Sequence, residues 1–237
     1  MKTRGRLLAV VVFAIAMAWV EAAVVLDLRV MINRVDPYQR LPLPDMGIIG
    51  NAELVREVAT LTMLAAVGWL AGTSWRGRIG YAVIAFGVWD IFYYAFLRLL
   101  TGWPKSLLDW DVLFLLPLPW WGPVLAPVLI SAVMIIGGLL MVQMDGGSQA
   151  GWPAPWSIIA GTAGILLALY AFLRDALQTV KSGEKALREM LPVSFAWPLF
   201  AVALVLMAVP VLAAALRLRS LTNQKQRGTD SMSELPL

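Results

Sequence analysis

The chain has 237 residues, 60% of them hydrophobic and 14% charged, with a mean hydropathy of +0.76, whereas an ordinary soluble domain is about 25% charged. That balance excludes a conventional soluble domain. The net charge of +4 is no argument for nucleic acid, because many basic residues stand at the ends of apolar segments, where membrane topology accounts for them.

Cysteine and histidine are both absent. This excludes disulfides, thiolate or imidazole metal sites, and Ser-His or Cys-His catalysis within the chain. A bound metal would have to accept oxygen ligands, as a hard divalent cation such as Mg²⁺ does.

Apolar windows of roughly 20 residues, the length that crosses a ~30 Å hydrocarbon core, predict an all-α, polytopic bundle of about six transmembrane helices. The first window covers 7–28. Lys2, Arg4 and Arg6 precede it with no acid among them. A cleavable signal peptide is the rival reading, with Ala16-Met17-Ala18 as its cleavage motif. The apolar run continues well past Ala18, which favours a retained helix. Glu21 lies in its second half, and Asp27 and Arg29 near its end.

The second window, 52–71, begins with Glu53, Arg56, Glu57 and Thr60 at i, i+3, i+4 and i+7, which makes one polar stripe on a helix. Glu53, in the first turn, suits the positive end of the helix dipole. Glu57 is deeper and calls for a partner on another helix, Arg29 or Arg98.

The third window, 79–100, contains Gly80-Tyr-Ala-Val-Ile-Ala-Phe-Gly-Val-Trp-Asp-Ile-Phe-Tyr-Tyr-Ala-Phe-Leu97. A charged Asp90 in such a helix costs on the order of 2.5–3.5 kcal/mol, so it needs a compensating neighbour or a function. Trp89 stands beside it. Tyr93, Tyr94 and Arg98 follow at i+3, i+4 and i+8. Two helical turns, ~12 Å, separate Asp90 from Arg98, a gap that the Tyr94 hydroxyl could bridge. Gly87 allows a neighbouring helix to come close.

The connection from span three to span four holds Asp109, Asp111 and the apolar stretch 112–119. That stretch is too short to cross, and Pro117, Pro119, Pro123 and Pro127 interrupt any helix there. It reads as an irregular or re-entrant segment, or as a rigid loop outside the membrane.

Windows 123–144, 156–173 and 196–216 carry no charge at depth and read as packing helices. Gly137, Gly138, Gly161 and Gly164 suit close contacts. The mixed charges of 174–189 suggest an interfacial amphipathic helix. The expected organisation is a transmembrane domain, 1–219, and a polar, disordered cytoplasmic tail, 220–237.

The purely basic N-terminus and the 2–3 connection, with Arg76 and Arg78, orient both termini toward the cytoplasm of a cell's inner (plasma) membrane. Tryptophans fall into two groups. Trp103, Trp110, Trp120, Trp121 and Trp197 mark one interface, and Trp69, Trp75, Trp152 and Trp156 the other, as an aromatic belt requires.

The segments Val20-Glu-Ala-Ala-Val-Val25, Arg56-Glu-Val-Ala-Thr-Leu61, Phe86-Gly-Val-Trp-Asp-Ile-Phe-Tyr-Tyr94, Gly102-Trp-Pro-Lys-Ser106 and Pro123-Val-Leu-Ala-Pro127 resemble those of bacterial multi-pass inner-membrane proteins with no assigned activity. The resemblance spans about the first 130 residues. It implies that shared residues lie in the outer-half cluster, and it implies no reaction.

The leading functional expectation is an outward-facing acidic and aromatic cavity that binds or transports a small solute, ion or lipid headgroup. Asp90 and Glu57 would be its protonatable or cation-binding groups, Glu21 their support and Arg98 the countercharge; Tyr93 or Tyr94 would supply hydrogen bonds, and Arg56 and Trp89 are further ligand-binding candidates. A second expectation is an intramembrane enzyme acting on a lipid-linked substrate, with Asp109, Asp111 and Glu57 around a divalent cation. A third is a non-catalytic subunit or assembly factor of a membrane complex.

Overall fold

The computed structural model describes residues 3–39, 47–115, 118–145 and 153–233. It is an all-α polytopic bundle in which six helices are long and apolar enough to cross a membrane. These are α1 (Thr3–Met31), α2 (Gly47–Ala71), α3 (Trp75–Thr101), α4 (Leu125–Met144), α5 (Pro155–Thr179) and α7 (Trp197–Ser233). A short α6 (Glu184–Glu189) precedes the last span, and two strands, β1 (Trp110–Val112) and β2 (Trp121–Pro123), interrupt the connection between α3 and α4. Every span except α4, which starts two residues inside its window, extends beyond its apolar window at one end or both, because polar end residues still continue a helix once the apolar centre has formed it.

The burial pattern of α2 has the sense expected in lipid. Glu53, Glu57, Thr60 and Leu64 are buried, while Val55, Val58 and Leu61 are exposed. A helix in water would invert that arrangement. In hydrocarbon the carboxylates must turn to protein, and the valines are at home outside.

The spans form two groups. In the first, α3 packs against α1, α2 and α4; in the second, α5 packs against α7, and α4 joins the groups through α7. Among the described residues, α5 makes no close backbone contact with α1, α2, α3 or α4.

Small residues set the tight crossings. On α1, Ala14, Ala18 and Ala22 recur every fourth residue and are fully buried, so Ala16–Ala18 is interior to a continuous helix. A side chain on Gly87 would come within 2.7 Å of the Ser131 carbonyl oxygen, and one on Gly138 within 2.6 Å of the Gly80 carbonyl. The same backbone approach joins α5 to α7 at Gly164, against Ala203 and Met207. We expect Gly87→Val to force α3 and α4 apart, at a cost of about 1–3 kcal/mol. The thermal midpoint in detergent should fall accordingly, and an unchanged midpoint would show that this crossing can yield.

The α3–α4 connection is a β-hairpin lodged between the two groups of helices. Its strands pair antiparallel, with Asp111 opposite Gly122 and Val112 opposite Trp121. Gly122 is required there, because a side chain would meet the Phe172 ring at 2.6 Å. The Leu115 amide reaches the Glu57 carboxylate of α2 at 3.0 Å, seven residues or about 10 Å along the helix from Gly50. The segment therefore folds back into the bundle.

Its tryptophans differ from the expected belt. Trp103 and Trp121 are 3% exposed, because they pack the hairpin against the helices instead of facing lipid. Trp69, Trp75 and Trp156 at the other end are exposed, as a belt requires, and Trp152 lies outside the described residues.

The α7 helix continues to Ser233; no proline breaks 220–233, and extending an existing helix is cheap. One more feature departs from the sequence reading. The 174–189 segment is not one amphipathic helix. It divides into the end of α5, a 3-10 turn at Val180–Ser182 and α6.

Candidate functional site

Where the hairpin does not fill the space between the helix groups, a cavity of about 470 Å³ remains. That lies within the usual range of ligand pockets, about 300–1,000 Å³. On α3 it is lined by Val83, Phe86, Trp89, Asp90, Tyr93 and Tyr94, spaced so that one helical face serves the whole lining. Ile165 and Phe172 line it from α5, Met207 from α7, and Phe114 and Trp120 from the hairpin. Ile165 is also half exposed, so it belongs both to the cavity wall and to the outer surface of α5.

Asp90 is buried, and Ser131 of α4 donates its hydroxyl to the carboxylate at 2.9 Å. The Gly87 crossing that brings α4 against α3 is what delivers Ser131. Trp89 stacks on Tyr93, ring centroids 6.0 Å apart, and meets Phe86 at 5.4 Å.

A second polar group lies where α1 meets α2. Arg56 forms ion pairs with both Glu21 and Glu53. The Thr60 hydroxyl donates to Glu21 at 3.1 Å. Glu57, one turn along the same stripe, accepts the Leu115 amide. All four charged residues line the cavity.

A third group joins α1 to the hairpin. Arg29 forms an ion pair with Asp111 at 2.9 Å and lies over the Trp103 ring at 4.3 Å. Asp111 is 1% exposed. Burial pushes its carboxyl above the ordinary aspartate range, and the Arg29 guanidinium opposes that shift.

The wall of the site continues into a roof. Tyr38 stacks on Trp110 at 6.0 Å, and its hydroxyl donates to the Pro192 carbonyl at 2.8 Å. The α1–α2 connection, the hairpin and the segment before α7 are thereby tied together.

The structure brings Asp90, Glu57, Glu21, Tyr94, Tyr93, Arg56 and Trp89 to one cavity. Arg98 is a correction. It is exposed and outside the cavity, and it donates to the Gly102 and Pro104 carbonyls at the end of α3. A long side chain in the last turn finds unsatisfied carbonyls closer than Asp90, two turns away. Asp109 is also outside the cavity. Its carboxylate accepts the Lys105 and Ser106 amides and closes a turn.

Among the described residues no three acidic side chains are grouped so as to hold a metal ion. Asp111 is engaged with Arg29, and Glu57 with the hairpin backbone.

Sequence reasoning passed over Arg29 as a site residue, and Ser131 altogether. Arg29 had a signal, a cation near the end of an apolar span. Ser131 had none beyond its place in α4.

Comparison with protein-family profiles, curated proteins and solved structures gives no match. What the cavity does follows from its own chemistry.

That chemistry is of two kinds. Most of the formal charges are neutralised by one another or held by hydrogen bonds within the protein. The rest of the lining is aromatic and aliphatic. Such a space suits a ligand that is largely apolar and carries a small number of polar atoms.

Proposed function

We propose that this protein binds a small amphiphilic or lipid molecule in the cavity between its two helix groups and takes it up from the bilayer beside α5. The observation that carries the reading is a 470 Å³ space with buried polar groups on α1, α2 and α3 and an apolar wall that includes half-exposed Ile165. We further propose a plasma-membrane location with both termini cytoplasmic. Basic residues Arg4, Arg6, Arg76 and Arg78 stand at the starts of α1 and α3, where the Tyr81 hydroxyl donates to the Thr3 carbonyl, whereas the acid-bearing hairpin follows the other end of α3, which would place the polar groups toward the outer leaflet.

The experiment is to purify the protein in a mild detergent, extract what co-purifies, and quantify it by mass spectrometry. Wild type should carry a lipid-like species in fixed proportion. Ile165→Trp, which adds bulk at the lipid-facing wall, should carry about tenfold less, the loss expected for ~1.4 kcal/mol of binding. Equal amounts in the two proteins would remove this reading.

Asp90→Asn retains an oxygen that can accept from Ser131. It should accumulate in the membrane at near wild-type level and retain the ligand poorly. If it fails to accumulate, Asp90 holds helices together and serves no ligand.

A further inference from the structure

We infer that the cavity's ligand is an amphiphile with an ammonium head, and that Asp90 is the countercharge for that head. The inference rests on the reading of the cavity as a site for an amphiphile and deepens it to a chemical class.

The first step is an account of the charges. Among the described residues, five acids and three arginines line the cavity. Arg56 is shared by Glu21 and Glu53, and Arg29 is paired with Asp111. Asp90 has no such cation among the described residues. Its hydrogen-bond partner is the Ser131 hydroxyl, and the charged group that acts on it is Asp111, another acid. A carboxylate buried without a countercharge is costly. A cation brought by the ligand supplies what Asp90 lacks, whereas an anion would add a charge of the same sign.

The second step is which atoms are open. Ser131 holds Oδ2 of Asp90 at 2.9 Å. The other oxygen, Oδ1, has no hydrogen-bond partner among the described residues, and it keeps accessible surface. The residue is otherwise buried in the bundle, so that surface opens on the cavity that Asp90 lines. Asp111 differs, because its unpartnered Oδ2 is sealed within the protein. The Tyr93 hydroxyl, about one helical turn from Asp90 on α3, is likewise accessible and without a hydrogen-bond partner, and Tyr93 lines the cavity too. A carboxylate oxygen and a phenolic oxygen one turn apart are both acceptors for ammonium N–H groups.

The third step is the surroundings. The partly buried rings of Phe86 and Tyr93 belong to the same stretch of lining, and aromatic rings attract a cation. The aliphatic side chains Val83, Met134, Ile165 and Met207 continue the lining. An ammonium head at Asp90 and an apolar body along the aliphatic wall would occupy the space. Such a head is carried by free amphiphilic amines and by ethanolamine phospholipids alike.

The test measures, at neutral pH, the binding of four single probes to detergent-purified protein, corrected for uptake by protein-free micelles: decylammonium, dioctanoyl phosphatidylethanolamine, decanol and decyl phosphate. We expect one or both ammonium probes to bind about 30-fold or more tightly than decanol, the contribution of a desolvated charge pair. Asp90→Asn should remove that advantage and leave decanol within about twofold of wild type. Tyr93→Phe keeps the ring, and should weaken the ammonium probes about three- to tenfold. A further measurement needs no variant. In wild-type protein the ammonium probe should protect Asp90 from modification by a lipid-soluble carbodiimide, read by peptide mass spectrometry.

A preference for the amine or for the phospholipid supports the inference and names the source. Decanol or decyl phosphate binding as tightly as the ammonium probes, equal weakening of every probe by Asp90→Asn, or no protection of Asp90 overturns the ammonium assignment while the amphiphile cavity stands. If no probe binds, the assignment falls, and if Ile165→Trp also leaves the co-purifying material unchanged, the reading beneath it falls with it.

Discussion

Arg56→Met should destabilise the protein by about 3–5 kcal/mol, the usual cost of removing one partner from a buried ionic group. Arg56 is the cation shared by Glu21 and Glu53, and its loss removes the guanidinium paired with both carboxylates at the α1–α2 contact. Both acids are largely buried, and neither can turn to water without leaving the bundle. The expected result is a large fall in membrane accumulation and in thermal midpoint.

The decisive comparison is the triple variant Glu21→Gln/Glu53→Gln/Arg56→Met. Removing all three charges together avoids the uncompensated state, and such replacements are often neutral or stabilising. The triple variant should therefore recover most of what Arg56→Met loses. If single and triple variants are equally unstable, the packing of these side chains matters more than their charge. If Arg56→Met is itself stable, the triad contributes little to the fold.

Much of this site was legible along single helices. Asp90, Tyr93 and Tyr94 share one face of α3, and Glu53, Arg56, Glu57 and Thr60 share one face of α2. Helical spacing fixes such relations before any packing occurs. Gly87 also announced itself, since a glycine one turn from a buried acid marks a backbone approach. That approach proved to be the one that supplies Ser131.

Relations between elements were less accessible. Arg29 and Asp111 are 82 positions apart, and nothing local to either records the other. The hairpin was hidden for a different reason. Stretch 112–115, Val-Leu-Phe-Leu, is continuously apolar and only partly buried, with Leu113 and Phe114 packed against the helix cores, so it lacks the alternation that marks a half-exposed strand. Its tryptophans accordingly looked like an interfacial belt. Arg98 misled because a helical periodicity aligned it with Asp90, while the free carbonyls at the end of α3 were nearer. Charge spacing identifies a shared face; it does not choose among the acceptors that face can reach.

The hairpin's attachment gives the second large effect. Asp111→Ala removes the anion from Arg29, which is 7% exposed and has Trp103 stacked against it. A buried guanidinium without its carboxylate costs about 3–5 kcal/mol. Because Asp111 is the contact between α1 and β1, the loss should be concentrated in the hairpin, and limited proteolysis of the α3–α4 connection should accelerate well before the bundle melts. Asp111→Asn keeps an oxygen for Arg29 and should lose less.

The reciprocal variant Arg29→Met carries a pH signature. Burial already raises the Asp111 carboxyl above its unfolded value, and Arg29 is the main group that pulls it back. Without Arg29 the folded state binds the proton more firmly than the unfolded state, so stability rises as pH falls and is lost as pH rises from the ordinary aspartate value, ~3.9, through the elevated folded value. The midpoint of Arg29→Met should therefore increase on acidification from neutral pH by more than that of wild type, and Arg29→Met/Asp111→Asn should lack the excess. A variant whose pH response matches wild type would mean that Asp111 draws its compensation from elsewhere, with Tyr94 and the Val112 amide the nearest candidates.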